Sequence, residues 1–178
     1  MIVKENIVEF FKDAVEKSAK KIDMERNPAA EFYLTKMLSE FAKINKRIEE
    51  PFAIEYLKNT NSFYKMKLVG DTLLFGLGIF PEKIRKHMSP DYFIGLGSMA
   101  YAKSSQLAPK SSSELFLYLS KNFPDYTLLL MNARSEYDNN RIIFYEFEKF
   151  LEESSFLDRK FLEMKGITID RTYKKIIQ

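Results

Sequence analysis

Cysteine and tryptophan are absent from this chain of 178 residues, and histidine occurs once, as His87. Without cysteine the chain has no disulfides, no cysteine-ligated iron–sulfur cluster and no thiolate zinc site. A single histidine also excludes the di-iron bundle site, which takes a Glu-x-x-His motif from each of two helices. No apolar run approaches the roughly 20 residues that span a bilayer, and the first residues lack the apolar core of a signal peptide. We therefore expect a cytoplasmic protein without a transmembrane segment.

Charge of one sign is also not concentrated anywhere in the chain. The 28 Lys and Arg residues alternate with 25 Asp and Glu residues, and the formal net charge is only +3. Nucleic-acid-binding proteins usually carry a basic stripe or patch. The distribution therefore predicts no nucleic-acid partner.

Apolar residues recur every three or four positions along most of the chain, which predicts an all-α fold. We expect one bundle-like domain of seven to nine helices over residues 1–166 and a basic tail over 167–178. Residues 83–87 are expected to form a charged turn. The first expected helix covers residues 4–22, a second opens at Asn27-Pro28, and a short third begins at Pro51. Two further helices are expected over 62–80 and 90–108. The next is capped by Ser111, another is begun or kinked by Pro124, and the last two cover Ile143–Leu151 and 156–165, followed by Gly166.

Five of the six glycines lie between Leu68 and Tyr101: Gly70, Gly76, Gly78, Gly95 and Gly97. A glycine within a helix costs about 1 kcal/mol relative to alanine. The cluster therefore predicts that two consecutive helices meet backbone to backbone, and a ligand or partner pressed against bare backbone is the alternative. A phosphate-binding glycine loop would have to follow a strand. Because none is expected here, we exclude nucleotide binding.

Asp71 lies within an apolar stretch, where an unpaired carboxylate would be costly. It must meet a cation, a tyrosine hydroxyl or a helix N-terminus, which favours a structural anchor. The alternative pairs Asp71 with Asp91 for acid–base chemistry or Mg²⁺ binding. The candidate binding or structural residues are Gly70, Asp71, Phe75, Asp91, Tyr92, Gly95, Gly97 and Tyr101; we assign no catalytic residue, metal ligand or cofactor.

The central segment resembles a bacterial family of uncharacterised helical proteins. Its members share a Leu-Gly-Asp motif, a Gly-Phe-Phe break, and Val-Asp-Tyr-Tyr followed by a glycine-rich helix ending in Ala-Tyr. The matching runs here are Leu68–Phe75, Gly78–Pro81 and Ser89–Tyr101, and Ser89-Pro90 replaces the family's apolar pair. The likeness extends more weakly over Glu31–Leu34 and Ile143–Leu151. It implies a single unit centred on Gly70, Asp71, Asp91, Tyr92 and Gly97, and it implies no activity.

Two functions remain open from the sequence. The first is a non-catalytic protein that acts by protein binding or as a homodimer, because aromatic and methionine side chains are abundant. Its interface would lie on Tyr92–Tyr101 or on the stripe Ile143, Phe147 and Phe150. The second is an enzyme or binder of an apolar small molecule. Its pocket would lie between the helices around Asp71 and Tyr92, with walls formed by Phe75, Phe93 and Met99.

Overall fold

A computed structural model describes residues 7–43, 50–137 and 145–165. Within these ranges the chain forms nine α-helices and no strand, which confirms the all-α prediction. The helices are α1 (Ile7–Lys21), α2 (Pro28–Lys43), α3 (Phe52–Lys58), α4 (Phe63–Ile79), α5 (Pro81–Arg85), α6 (Pro90–Leu107), α7 (Lys110–Lys121), α8 (Phe123–Tyr137) and α9 (Tyr145–Met164). The predicted tail at 167–178 and the helix end at Gly166 lie outside the described residues.

Local capping signals fix several of these boundaries. The Asn27 side chain accepts the backbone N–H of Ala30 at 3.0 Å and starts α2, and Ser62 starts α4. Each cap satisfies an N–H that has no partner within its own helix. Ser89 precedes α6 as predicted, but its hydroxyl is buried and forms no hydrogen bond within the described part of the chain.

Helix α4 is the centre of the molecule. It is buried continuously from Val69 to Ile79, because its sequence is apolar on every face. It packs most extensively on α6 and α8, and also contacts α3 and α5. Helix α1 packs on α2 and α8, α7 on α6, and α9 on α5 and α3. None of the helices described is both long and apolar enough to cross a membrane.

Three local predictions were wrong. Of the expected charged turn at 83–87, residues 83–85 lie in the short helix α5 and only 86–87 form a turn, because Pro81 opens the helix and Ile84 is buried against the core. Ser111 lies inside α7, which begins one residue earlier after Pro109. The two C-terminal helices are one continuous helix, α9, because neither Gly nor Pro interrupts the sequence between them.

The glycines pack in a different way from the predicted backbone-to-backbone contact. Four of them face a side chain of another helix: Gly70 faces Tyr101, Gly76 faces Leu151, Gly78 faces Leu130 and Gly97 faces Phe123. Gly95 is exposed, with nothing within 4 Å of the position where a Cβ would lie. The cluster therefore makes room for large side chains around α4 and α6, and Gly95 is not part of that packing.

Gly78 and Gly95 provide a matched pair of tests for this packing. A Cβ at Gly78 would overlap the Cβ of Leu130, which is fixed to the backbone of α8. We expect Gly78→Ala to lower the free energy of unfolding by about 2 kcal/mol, because overpacking outweighs the propensity gain. Gly95→Ala should raise it by up to about 1 kcal/mol. Urea denaturation measures both changes, and equal stability of the two variants would contradict the packing.

Candidate functional site

Asp71 occupies the middle of α4 and is only 4% exposed. Its Oδ1 accepts the hydroxyl of Tyr33 at 2.5 Å and the hydroxyl of Tyr101 at 2.7 Å. Its Oδ2 accepts the ammonium of Lys67 at 2.7 Å. We call these four residues the Asp71 cluster, which joins α2, α4 and α6.

The Asp71 cluster is assembled by helix spacing and by ring packing. Lys67 lies four residues before Asp71, so both side chains lie on the same face of α4. The missing side chain at Gly70 leaves space for the ring of Tyr101. Tyr33 packs edge-on against Phe116, with ring centroids 5.5 Å apart. Close packing of the two tyrosine rings therefore holds both hydroxyls in the positions from which they donate to the carboxylate of Asp71.

Electrostatics keep both phenols in the donor form. Burial, followed by the charge of Asp71, raises the pKa of Tyr33 and of Tyr101 well above the usual value of 10. Both oxygens of Asp71 are occupied by these donors and by Lys67. A carboxylate engaged in this way holds three helices together.

Asp91 and Tyr92 lie apart from the Asp71 cluster. They precede Tyr101 by ten and nine residues of helix, which is about 13–15 Å along the axis of α6. Asp91 is exposed in the first turn. The predicted Asp71–Asp91 pair is therefore wrong, and Asp71 and Tyr92 bind different partners, Tyr101 and Asp158 respectively.

Two of the three walls predicted for a pocket around Asp71 and Tyr92, Phe75 and Phe93, belong to the core instead, whereas the third, Met99, is exposed. Phe75 and Phe93 are fully buried, and Phe75 stacks on Phe41 with centroids 4.7 Å apart. Because Phe93 and Tyr101 are also buried within this chain, α6 cannot offer them as the dimer interface that we predicted for Tyr92–Tyr101. The other predicted interface, around Ile143, Phe147 and Phe150, lies outside the side chains that the structure describes.

A second buried carboxylate, Asp158 of α9, was missed by the sequence analysis. It is fully buried and accepts the backbone N–H groups of Phe52 at 2.5 Å and Ala53 at 3.3 Å. It also accepts the hydroxyl of Tyr92 at 3.2 Å. These contacts cap the start of α3, where Pro51 has no side-chain acceptor of its own.

The sequence did contain one signal for Asp158. It lies seven residues after Leu151 and four before Leu162, which puts an acid on the apolar stripe of α9.

Burial raises the pKa of Asp158 to about 6, although the N–H donors of Phe52 and Ala53 and the Tyr92 hydroxyl oppose the shift. Asp71 and Asp158 are thus both used to connect helices. Within residues 7–43, 50–137 and 145–165, no group of three or more His, Cys, Asp or Glu residues could hold a metal ion.

An open groove runs between α1 and α2, with a volume of about 640 Å³. We call it the α1–α2 groove. The lining residues that matter for its chemistry are Val8, Lys12, Val15, Phe32, Lys36 and Glu40. Phe32 is 71% exposed and Val8 is 47% exposed. Apolar side chains that face solvent beside a groove are typical of a binding surface.

One end of the groove is closed by an ion-pair cluster. Arg26 donates to both carboxylate oxygens of Glu31, at 2.5 and 2.6 Å, and lies 4.0 Å from Glu16. The sequence analysis missed this groove because it depends on how α1 and α2 pack. The sequence feature that could have indicated this groove is Phe32, a large aromatic residue outside the apolar stripe of Leu34, Met37 and Leu38.

Comparison with protein-family models, with curated proteins and with solved structures finds no match to this chain. The bacterial family resemblance therefore stays a prediction, and the functional argument depends on the geometry of the molecule.

Proposed function

We propose that this protein is a non-catalytic cytoplasmic binding protein that self-associates, and that a second copy of the chain covers the α1–α2 groove. The observation that carries the proposal is the exposed aromatic ring of Phe32, 71% accessible, at the edge of an apolar groove. The absence of cysteine is compatible with a reducing cytoplasm.

The distribution of polar groups supports binding over catalysis. The buried acids Asp71 and Asp158 have both of their oxygens engaged in hydrogen bonds, all of which link helices except the contact of Asp71 with Lys67 within α4. The α1–α2 groove instead offers apolar surface to a partner. Covering a Phe side chain contributes about 2 kcal/mol, and a two-fold dimer makes each such contact twice.

The charges around the groove favour a second copy as the occupant. Three basic residues line it, Lys12, Arg26 and Lys36, and three acidic residues, Glu16, Glu31 and Glu40. A strongly basic or acidic partner would be matched by a groove of one sign. A surface of balanced charge can instead be complementary to itself, as the interface of a closed two-fold dimer must be.

The Phe32→Glu variant tests this proposal. We expect the wild-type protein to sediment as a dimer at roughly 100 μM, and the variant to dimerise at least tenfold more weakly, about 1.4 kcal/mol or more. The loss follows because a carboxylate would have to be desolvated in the interface. Sedimentation equilibrium measures both dissociation constants.

Tyr64→Glu is the matched control, because Tyr64 is an 81% exposed aromatic residue at the start of α4, outside the groove lining. It should dimerise like the wild type. The proposal fails if the wild-type protein is monomeric at this concentration, or if Phe32→Glu leaves the dimer intact.

A further inference from the structure

The ion pairs of Arg26 at the closed end of the α1–α2 groove indicate which charged residues lie opposite each other along it. Arg26 contacts both Glu16 of α1 and Glu31 of α2, so these two acids lie at the same level. The helices form a hairpin and run in opposite directions. Counting from that level, Lys12 lies within one residue, about 1.5 Å, of the level of Lys36, and Val8, one turn further on, within one residue of the level of Glu40.

Two lysines therefore face each other across the middle of the groove. Within the described part of the chain, neither Lys12 nor Lys36 forms an ion pair, and neither does Glu40. Lys36 and Glu40 are four residues apart on α2, with the lysine first, which is the weaker orientation for a pair within one helix. Both charges thus remain available to a second molecule.

We infer that α2 packs antiparallel against α2 of a second copy, about a two-fold axis between Lys36 and Glu40. In this arrangement Glu40 of each copy enters the space between Lys12 and Lys36 of the other. The inference rests on the proposed dimer and adds its orientation and the residues that set it.

The charges distinguish this axis from its neighbours. An axis through Lys36 would bring Lys36 against the same residue of the second copy, and an axis through Glu40 would bring the two acids together. Like charges at an interface are strongly disfavoured. An axis between Lys36 and Glu40 instead brings Lys36 of each copy against Glu40 of the other. Phe32, one turn before Lys36, adds apolar contact to this interface.

Complementary charge reversals test this orientation. Lys36→Glu would face the partner's Glu40, and Glu40→Lys would face the partner's Lys12 and Lys36. We expect each variant alone to dimerise at least tenfold more weakly than the wild type. An equimolar mixture should form a heterodimer about tenfold tighter than either variant's homodimer, because Glu at 36 then meets Lys at 40, although this lysine still lies beside the partner's Lys12.

The measurement is sedimentation of each variant and of the mixture, with native mass spectrometry of one ¹⁵N-labelled chain identifying the heterodimer. Lys65→Glu is the control, because Lys65 is exposed on α4 and does not line the groove. It should leave dimerisation unchanged. Circular dichroism verifies that every variant is folded.

The outcomes separate this inference from the proposed function. Recovery of the dimer in the mixture supports the antiparallel α2 contact. If Phe32→Glu abolishes dimerisation but the mixture does not recover it, the orientation is wrong and the groove remains the interface. Unchanged dimers in both single variants likewise overturn the orientation. A monomeric wild type overturns both proposals.

Discussion

Replacing Asp71 with asparagine is expected to lower the free energy of unfolding by about 3–5 kcal/mol. The side-chain shape is retained, but one carbonyl oxygen must then serve the hydroxyls of Tyr33 and Tyr101 and the ammonium of Lys67. The new amide also directs its own N–H groups either at the ammonium of Lys67, which is a donor, or at the two tyrosine hydroxyls. Because the site is only 4% exposed, water cannot replace the lost acceptor.

Guanidinium denaturation of three variants tests this anchoring role. Asp91→Asn is the matched control, since Asp91 is exposed in the first turn of α6, near the positive end of the helix dipole, and its loss should cost at most about 1 kcal/mol. Tyr101→Phe should fall between the two, and its effect should not add to that of Asp71→Asn because both break the same hydrogen bond. If Asp71→Asn were as stable as the wild type, Asp71 would not be an anchor.

Asp158 is expected to make the protein less stable as the pH rises from about 4 to about 7. The folded-state pKa of about 6 lies above the usual 3.8, so the folded protein holds this proton more tightly than the unfolded chain. The associated stability is complete below pH 3.8 and is lost as the pH rises through 6. The full change is about 3 kcal/mol, at 1.4 kcal/mol per pKa unit.

The measurement is the difference in unfolding free energy between wild type and Asp158→Asn across this pH range, because the subtraction cancels the other titrating groups. The difference should decrease as the pH rises. Glu152→Gln provides a contrast of opposite sign, because hydrogen bonds from Lys86 and Lys83 lower the pKa of Glu152. Its contribution is present above pH 4.5 and is lost as the pH falls. A pH-independent difference for Asp158→Asn would contradict the assignment.

Most helices could be predicted from the sequence, because helix formation and capping depend on residues a few positions apart. Asn27 and Ser62 cap the helices they were predicted to start. The errors arose where local signals were ambiguous. Residues 83–87 were predicted as a charged turn, although the burial of Ile84 holds 83–85 in a helix.

The candidate site could be predicted only in part. The need of Asp71 for a cation or hydroxyl donors follows from its apolar surroundings in the sequence. The pairing with Tyr92 was wrong because Tyr92 and Tyr101 share α6 but lie about 13.5 Å apart along it. The dimer interface on α6 stays a prediction, but Phe93 and Tyr101 cannot take part in it, because the sequence shows how many aromatic residues there are and burial decides which of them remain exposed.

The sequence by itself determined an all-helical chain, the starts of several helices, and the requirement that a central acid be hydrogen-bonded. These features follow from nearest neighbours along the chain and from the cost of burying charge. Tertiary structure decided which donors meet Asp71, with Tyr33 lying 38 residues away and Tyr101 30 residues away. It also decided that Asp158 caps a helix 106 residues earlier and that α1 and α2 enclose a groove. Such contacts depend on how distant helices pack, which no local pattern records.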